Sequence, residues 1–146
     1  MDSDQFMERS IKIHGPEEFA AMRKAGRLAA EVLDYITPYV EPGVTTGKLN
    51  DLCHQFTIDR GAISAPLNYR GFPKSICASI NHVVCHGIPD DAKKLQSGDI
   101  VNLDITVILD GWHGDTSRMF FVGEASIKAR RLVEVTYECL MLGIEQ

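Results

Sequence analysis

The sequence predicts an α+β domain, an antiparallel sheet covered by helices on one side, and three observations carry that prediction. Residues 15–37 and 45–61 hold apolar side chains at helical intervals between recognisable start and stop signals. Residues 100–122, IVNLDITVILDGWHGDTSRMFFV, begin with strict two-residue alternation and turn at Asp110-Gly111, a pair suited to a tight hairpin. A third helical pattern starts after Ser126.

Taken in order, residues 1–14 are expected as a flexible lead-in and residues 15–146 as one domain. The opening MDSDQFMERS is polar and acidic, unlike a signal peptide, and no apolar run approaches a membrane span. Gly15-Pro16-Glu17-Glu18 starts a helix, with proline in the first turn and acids where the helix dipole favours them. Phe19, Met22, Leu28, Val32, Leu33 and Ile36 recur near helical spacing up to Pro38, and Glu41-Pro42-Gly43 breaks the chain. Thr45 or Thr46 caps a second helix with Leu49, Leu52, Cys53 and Phe56 on its inner face, ended by Gly61. Both helices read as cover for a sheet, and His54 as a surface residue without function.

Residues 62–75, AISAPLNYRGFPKS, form a loop rich in proline and glycine with two rings, Tyr69 and Phe72. Such a loop either lines a pocket or is pinned to the core by its rings, and the residue types fit both. Residues 76–80 and 83–86 are rich in β-formers, so both are expected as strands joined through Asn81-His82, with His86 at a sharp exit before Gly87. His82 and His86 have the spacing of a helical zinc pair. A strand between them separates them too far for one metal, and the glutamate of that motif is absent. Residues 93–99 read as an exposed connector.

In the hairpin, Asn102, Asp104 and Thr106 share one parity, and Val101, Leu103, Ile105, Val107 and Leu109 share the other. With Asp110-Gly111 as the loop, Leu109 faces Trp112, Thr106 faces Asp115 and Asp104 faces Ser117. Asp104 and Asp115 are then diagonal neighbours on one face, about 7–8 Å apart. Two such carboxylates either stay solvated on a wet face or lean together onto divalent ions, which in two-metal sites sit roughly 3.5–4 Å apart. The five apolar neighbours around Asp104 favour the second reading, because an unpaired carboxylate there is costly to desolvate. Gly114 leaves room for a close approach to the backbone beside Asp115. His113 shares that parity, and a supporting role for it stays open. Ser126 caps the last helix, with Leu132, Val135, Cys139 and Leu142 at helical intervals.

Composition narrows the function classes. A hydrophobic content of 45% with 24% charged residues is that of a soluble globular protein. A net charge of -5, with no basic run longer than two residues, argues against nucleic acid as a partner. No membrane partner is expected. Cys53, Cys77, Cys85 and Cys139 form no C-x-x-C pair and fit buried or pocket thiols of a reducing, cytoplasmic compartment.

The stretch NLDITVILDGWHGDTSRMF resembles the signature of the type I methionine aminopeptidases, and CHGIPDD resembles their catalytic-histidine loop. The likeness runs from about Ile11 to the end. It implies the N-terminal half of a pita-bread fold and a hydrolase that removes the initiator methionine from newly made proteins. It implies Asp104 and Asp115 as ligands of two divalent metal ions, with cobalt, manganese, iron and zinc all compatible. His86 would bind the scissile amide and pass a proton to the leaving amine. Tyr69, Phe72 and Cys77 would line a slot for the methionine side chain, whose thioether suits ring edges and sulfur. Pro66 departs from relatives that carry cysteine there. The implied partners are N-terminal methionyl peptides and nascent chains, with the ribosome beyond them, and the complete enzyme would be a monomer.

The resemblance also implies a second half, which supplies a histidine and two glutamates as further ligands. No such series follows Asp115, so the chain by itself is expected to be a truncated, inactive fragment. Two alternatives remain open: a proline-specific aminopeptidase on the same fold, and a non-catalytic binding module.

Overall fold

The computed structural model describes residues 11–146. Most of the expected lead-in therefore lies outside the described residues. Residues 11–14 have no regular structure, yet His14 is tied down: its ring meets Trp112 edge-on at 5.4 Å, and both it and Lys12 pair with Glu18.

Helix α1 (Pro16–Ile36) starts as the sequence predicts, with the Glu18 carboxylate accepting a hydrogen bond from the Gly15 N–H at 2.8 Å. Its buried side is Ala25, Leu28, Ala29, Val32, Leu33 and Ile36. Phe19 and Met22, expected on that stripe, are about half exposed. The inner face starts at Ala25 because the helix meets the sheet there through small residues. Helix α2 (Thr46–Asp59) is capped by the Thr45 hydroxyl, which accepts from the Lys48 N–H at 3.1 Å. Leu49 and Cys53 are fully buried, Leu52 and Phe56 partly, and Tyr35 stacks on Phe56 at 4.4 Å.

The sheet has four strands: β1 (Ile63–Ser64), β2 (Cys77–Ile80), β3 (Ile100–Leu109) and β4 (Trp112–Phe121). Strand β3 is central. It pairs antiparallel with β4 along its whole length on one side, and with β2 and β1 in tandem on the other. Helices α1 and α2 cover one face. Val101, Leu103, Ile105 and Val107 point into the layer between, each with 2% exposure or less. Each such burial is worth about 1.5–3 kcal/mol.

Further expectations are corrected. Strand β1 forms inside the stretch read as loop. Residues 83–86 form no strand: Asn81 turns left-handed at φ 52°, the Val83 N–H closes a turn onto the Ile80 carbonyl at 3.0 Å, and Val84 and Cys85 are exposed. Their β-forming side chains find no neighbouring strand to pair with. Residues 93–99 are not merely an exposed connector, since Leu95 is buried and its backbone bonds Gly43 and Val44 at 2.8 Å each. In helix α3 (Ile127–Ile144), capped by Ser126 as expected, no residue is buried. Leu132, Val135, Cys139 and Leu142 are all exposed, and the partly covered residues are Ala129, Arg130 and Val133. Contact with the sheet runs through the Arg130 guanidinium, 4.8 Å from the Phe121 ring. Among the described residues, no helix is long and apolar enough to cross a membrane.

Candidate active site

The hairpin builds the site. Asp110 and Gly111 both take positive φ, 51° and 83°, as a tight two-residue turn requires. The register follows: Thr106 pairs with Asp115 and Asp104 with Ser117. Since the opposite parity of β3 fills the core, Asp104 and Asp115 share the face turned away from α1. Gly114 is indeed a point of close approach, and what approaches is α1. A Cβ there would lie inside the contact radius of the Ala25 carbonyl oxygen, so glycine lets helix and strand touch behind the acidic pair.

Asp104 is half-buried and Asp115 exposed. Burial pushes the Asp104 carboxyl above its ordinary pKa, and the Asp115 carboxyl raises it further by charge and by hydrogen bonding. His86 acts in the opposite direction. The Thr106 hydroxyl donates to Asp115 Oδ1 at 3.2 Å. The result is a pair of oxygen donors short of positive charge.

His86 reaches this face from a loop, with φ at 54°, a conformation uncommon outside glycine. Gly87 holds it there. The Gly87 carbonyl accepts from the Ala78 N–H at 2.8 Å, and its N–H donates to Ser79 Oγ at 3.1 Å. Any side chain at Gly87 would collide with the Ala78 carbonyl, so the loop lies flat against β2 only because of this glycine.

The loop with the two rings closes the other side. The Ala65 N–H donates to the Thr106 carbonyl at 2.9 Å, and Asn68 and Phe72 bond across the turn at 2.8 Å. At its far end the Ser75 N–H donates to Asn50 Oδ1, and Ser75 Oγ bonds His54 Nδ1, both at 2.8 Å. His54, read as idle, therefore helps fasten the loop to α2. On β2, Cys77 is the register partner of Asp104. Burial pushes its thiol up to about 11, with Asp104, Cys85 and Asp115 adding to the shift, so it is a neutral wall at physiological pH.

The structure brings all six predicted residues, Tyr69, Phe72, Cys77, His86, Asp104 and Asp115, to the lining of one cleft of about 870 Å³. Thr106, His113 and Arg70 line it too. Thr106 was legible as the cross-strand partner of Asp115, whereas nothing in the sequence singles out Arg70. Among the described residues, no three histidine, cysteine or acidic side chains gather into a metal-holding group.

The cleft thus joins a hairpin that presents paired carboxylates to a loop histidine and an apolar wall. The chain belongs to metallopeptidase family M24, whose model matches residues 20–146. It is 65% identical over 136 residues to the methionine aminopeptidase of Rickettsia prowazekii and 57% identical over 136 residues to that of Escherichia coli K12. These matches cover 93% and 92% of this chain but 52% of each relative, so the chain spans about half the length of the curated relatives it matches. The crystal structure of the Rickettsia methionine aminopeptidase superposes with a TM-score of 0.89, over 90% of this chain and 53% of that one. The Thermotoga maritima methionine aminopeptidase, 32% identical, gives 0.84 over 88% of this chain and 52% of that one. Aminopeptidase P from Escherichia coli, 22% identical, shares the fold at 0.75 over 88% and 28%. The architecture is accordingly half of a pita-bread fold.

Proposed function

We propose that this chain forms half of the active site of a methionine aminopeptidase, which removes the initiator methionine from nascent proteins in the cytoplasm. The observation that carries the reading is the convergence of Asp104 and Asp115 on one exposed face beside His86. The donor chemistry fits divalent cations: hard carboxylate oxygens, held together against their own repulsion, which a bound cation relieves. Asp104 and Asp115 would hold them, and cations so bound lower the pKa of water and polarise a carbonyl.

The remaining residues of the cleft bind and orient. Phe72, Tyr69 and the neutral thiol of Cys77 accept the methionine side chain, for which a polarisable apolar slot is well suited. His86 hydrogen-bonds the scissile amide and passes a proton to its nitrogen as the amine leaves. Thr106 holds Asp115 in place. The substrates are methionyl peptides and nascent chains at the ribosome, and the complete enzyme acts as a monomer on two divalent ions.

Two carboxylates are too few donors to hold two cations close together, so residues 1–146 should bind divalent metal weakly and release no methionine unaided. Calorimetric titration with manganese(II), beside hydrolysis of Met-Ala-Ser, tests this. Asp104→Asn and Asp115→Asn should each abolish the metal binding that the parent shows. Binding that survives both substitutions would remove the assignment, and brisk methionine release by the parent would refute the donor count.

A further inference from the structure

The acidic cleft contains one misfit. Arg70 is the only lysine or arginine among the described residues that line it. Its side chain is exposed, and it forms no ion pair with any described residue, as is also true of Arg23, Arg27 and Arg131; what sets Arg70 apart is its place on the cleft lining.

The backbone holds it there against preference. Arg70 sits at φ 48°, ψ 33°, between Asn68 at φ 66° and Gly71 at φ 85°, in a region that long side chains rarely adopt. Such a conformation persists only where its surroundings over-determine it, and such positions cluster at ligand clamps. Here the surroundings are the bonds of Asn68 to Phe72, of Tyr69 to Pro66 and of Phe72 to Tyr69, at 2.8, 3.0 and 2.9 Å. The Tyr69 ring lies 5.3 Å from the guanidinium and steadies it by a cation–π contact.

We propose that Arg70 recognises a carboxylate on the departing part of the peptide, so that this site favours substrates with an acidic residue downstream of the cleaved bond. The inference rests on the function proposed above. A peptide bound by its free amine at Asp104 and Asp115, with its first side chain on the apolar wall, extends past the remaining lining of the cleft. Its backbone carries no formal charge, so an unpaired guanidinium on that lining finds its complement in an acidic side chain.

Two peptides separate the possibilities: Met-Ala-Glu-Ser amide, whose only carboxylate is the glutamate, and Met-Ala-Lys-Ser amide. Calorimetry on residues 1–146 in manganese(II) buffer should show the glutamate peptide bound about fivefold tighter, with the preference shrinking as salt is added. Arg70→Asn keeps the left-handed backbone and removes the charge; it should reduce the preference to less than about twofold. Arg70→Lys should retain part of it. Equal affinity for the two peptides, or a preference that survives Arg70→Asn, would overturn the role of Arg70 and leave the proposed function standing. Binding of neither peptide would instead overturn the reading of the cleft, and this inference with it.

Discussion

Thr106 and Asp115 stand directly opposite one another across the β3–β4 ladder, and the hydroxyl of the first donates to the carboxylate of the second at 3.2 Å. This bond helps aim the Asp115 carboxylate. Thr106→Val, which keeps the shape and removes the donor, should weaken manganese(II) binding about tenfold, while Thr106→Ser restores it. Calorimetric titration checks this, and equal affinity in all three proteins would show that the hydroxyl positions nothing.

The contact of α1 with β4 depends on the absence of a side chain at Gly114. Gly114→Ala places a methyl group against the Ala25 carbonyl and the Gly26 nitrogen, backbone atoms that cannot rotate away. Helix and strand must separate, at a cost of about 3 kcal/mol. The expected drop in Tm is about 10 °C by differential scanning calorimetry. Gly26→Ala is the control, because nothing lies within 4 Å of a Cβ there.

The four cysteines should divide into two reactivity classes. Burial pushes Cys53 up to about 12, and burial together with nearby carboxylates pushes Cys77 up to about 11. At pH 8 about one Cys77 thiol in a thousand is then ionised, and fewer of Cys53. Cys85 and Cys139 are exposed. Iodoacetamide should label those two first in the native protein, read by peptide mass spectrometry. Early labelling of Cys77 would mean that the cleft wall is more open than its burial indicates.

Acid should loosen the start of α1 before the rest of the fold. Hydrogen bonds from Lys12, Gly15 and His14 hold the Glu18 carboxyl at about 2, below its ordinary 4.5. A depressed acid contributes its stability above the unfolded value and loses it as pH falls through the folded one. The window is therefore pH 4.5 down to about 2. Trp112, the only tryptophan, packs on His14 and reports the change by fluorescence. Glu18→Gln should flatten that transition, and a transition unaltered by it would place the acid sensitivity elsewhere.

What the sequence determined by itself is what short-range rules control. The period of β3, the turn at Asp110-Gly111 and the helix starts at Gly15, at Thr45 or Thr46 and at Ser126 each depend on a few adjacent residues, so the pairing of Asp104 with Asp115 on one face was legible in the sequence. Tertiary structure decided the rest, because the deciding atoms come from distant segments. Residues 83–86 have β-forming side chains and no strand to pair with, and Leu95 is buried only because the backbone of Gly43 and Val44 meets it. The sides of α3 cannot be ranked from their own residues while apolar groups occupy several of them, and Arg130 on Phe121 decides which side is covered. The cleft follows the same logic. His86 arrives through the fit of Gly87 on Ala78, and the loop with Tyr69, Arg70 and Phe72 is anchored by Thr106, Asn50 and His54. A local pattern selects the face on which a side chain lies; which other side chains share that space depends on packing between elements far apart in the chain.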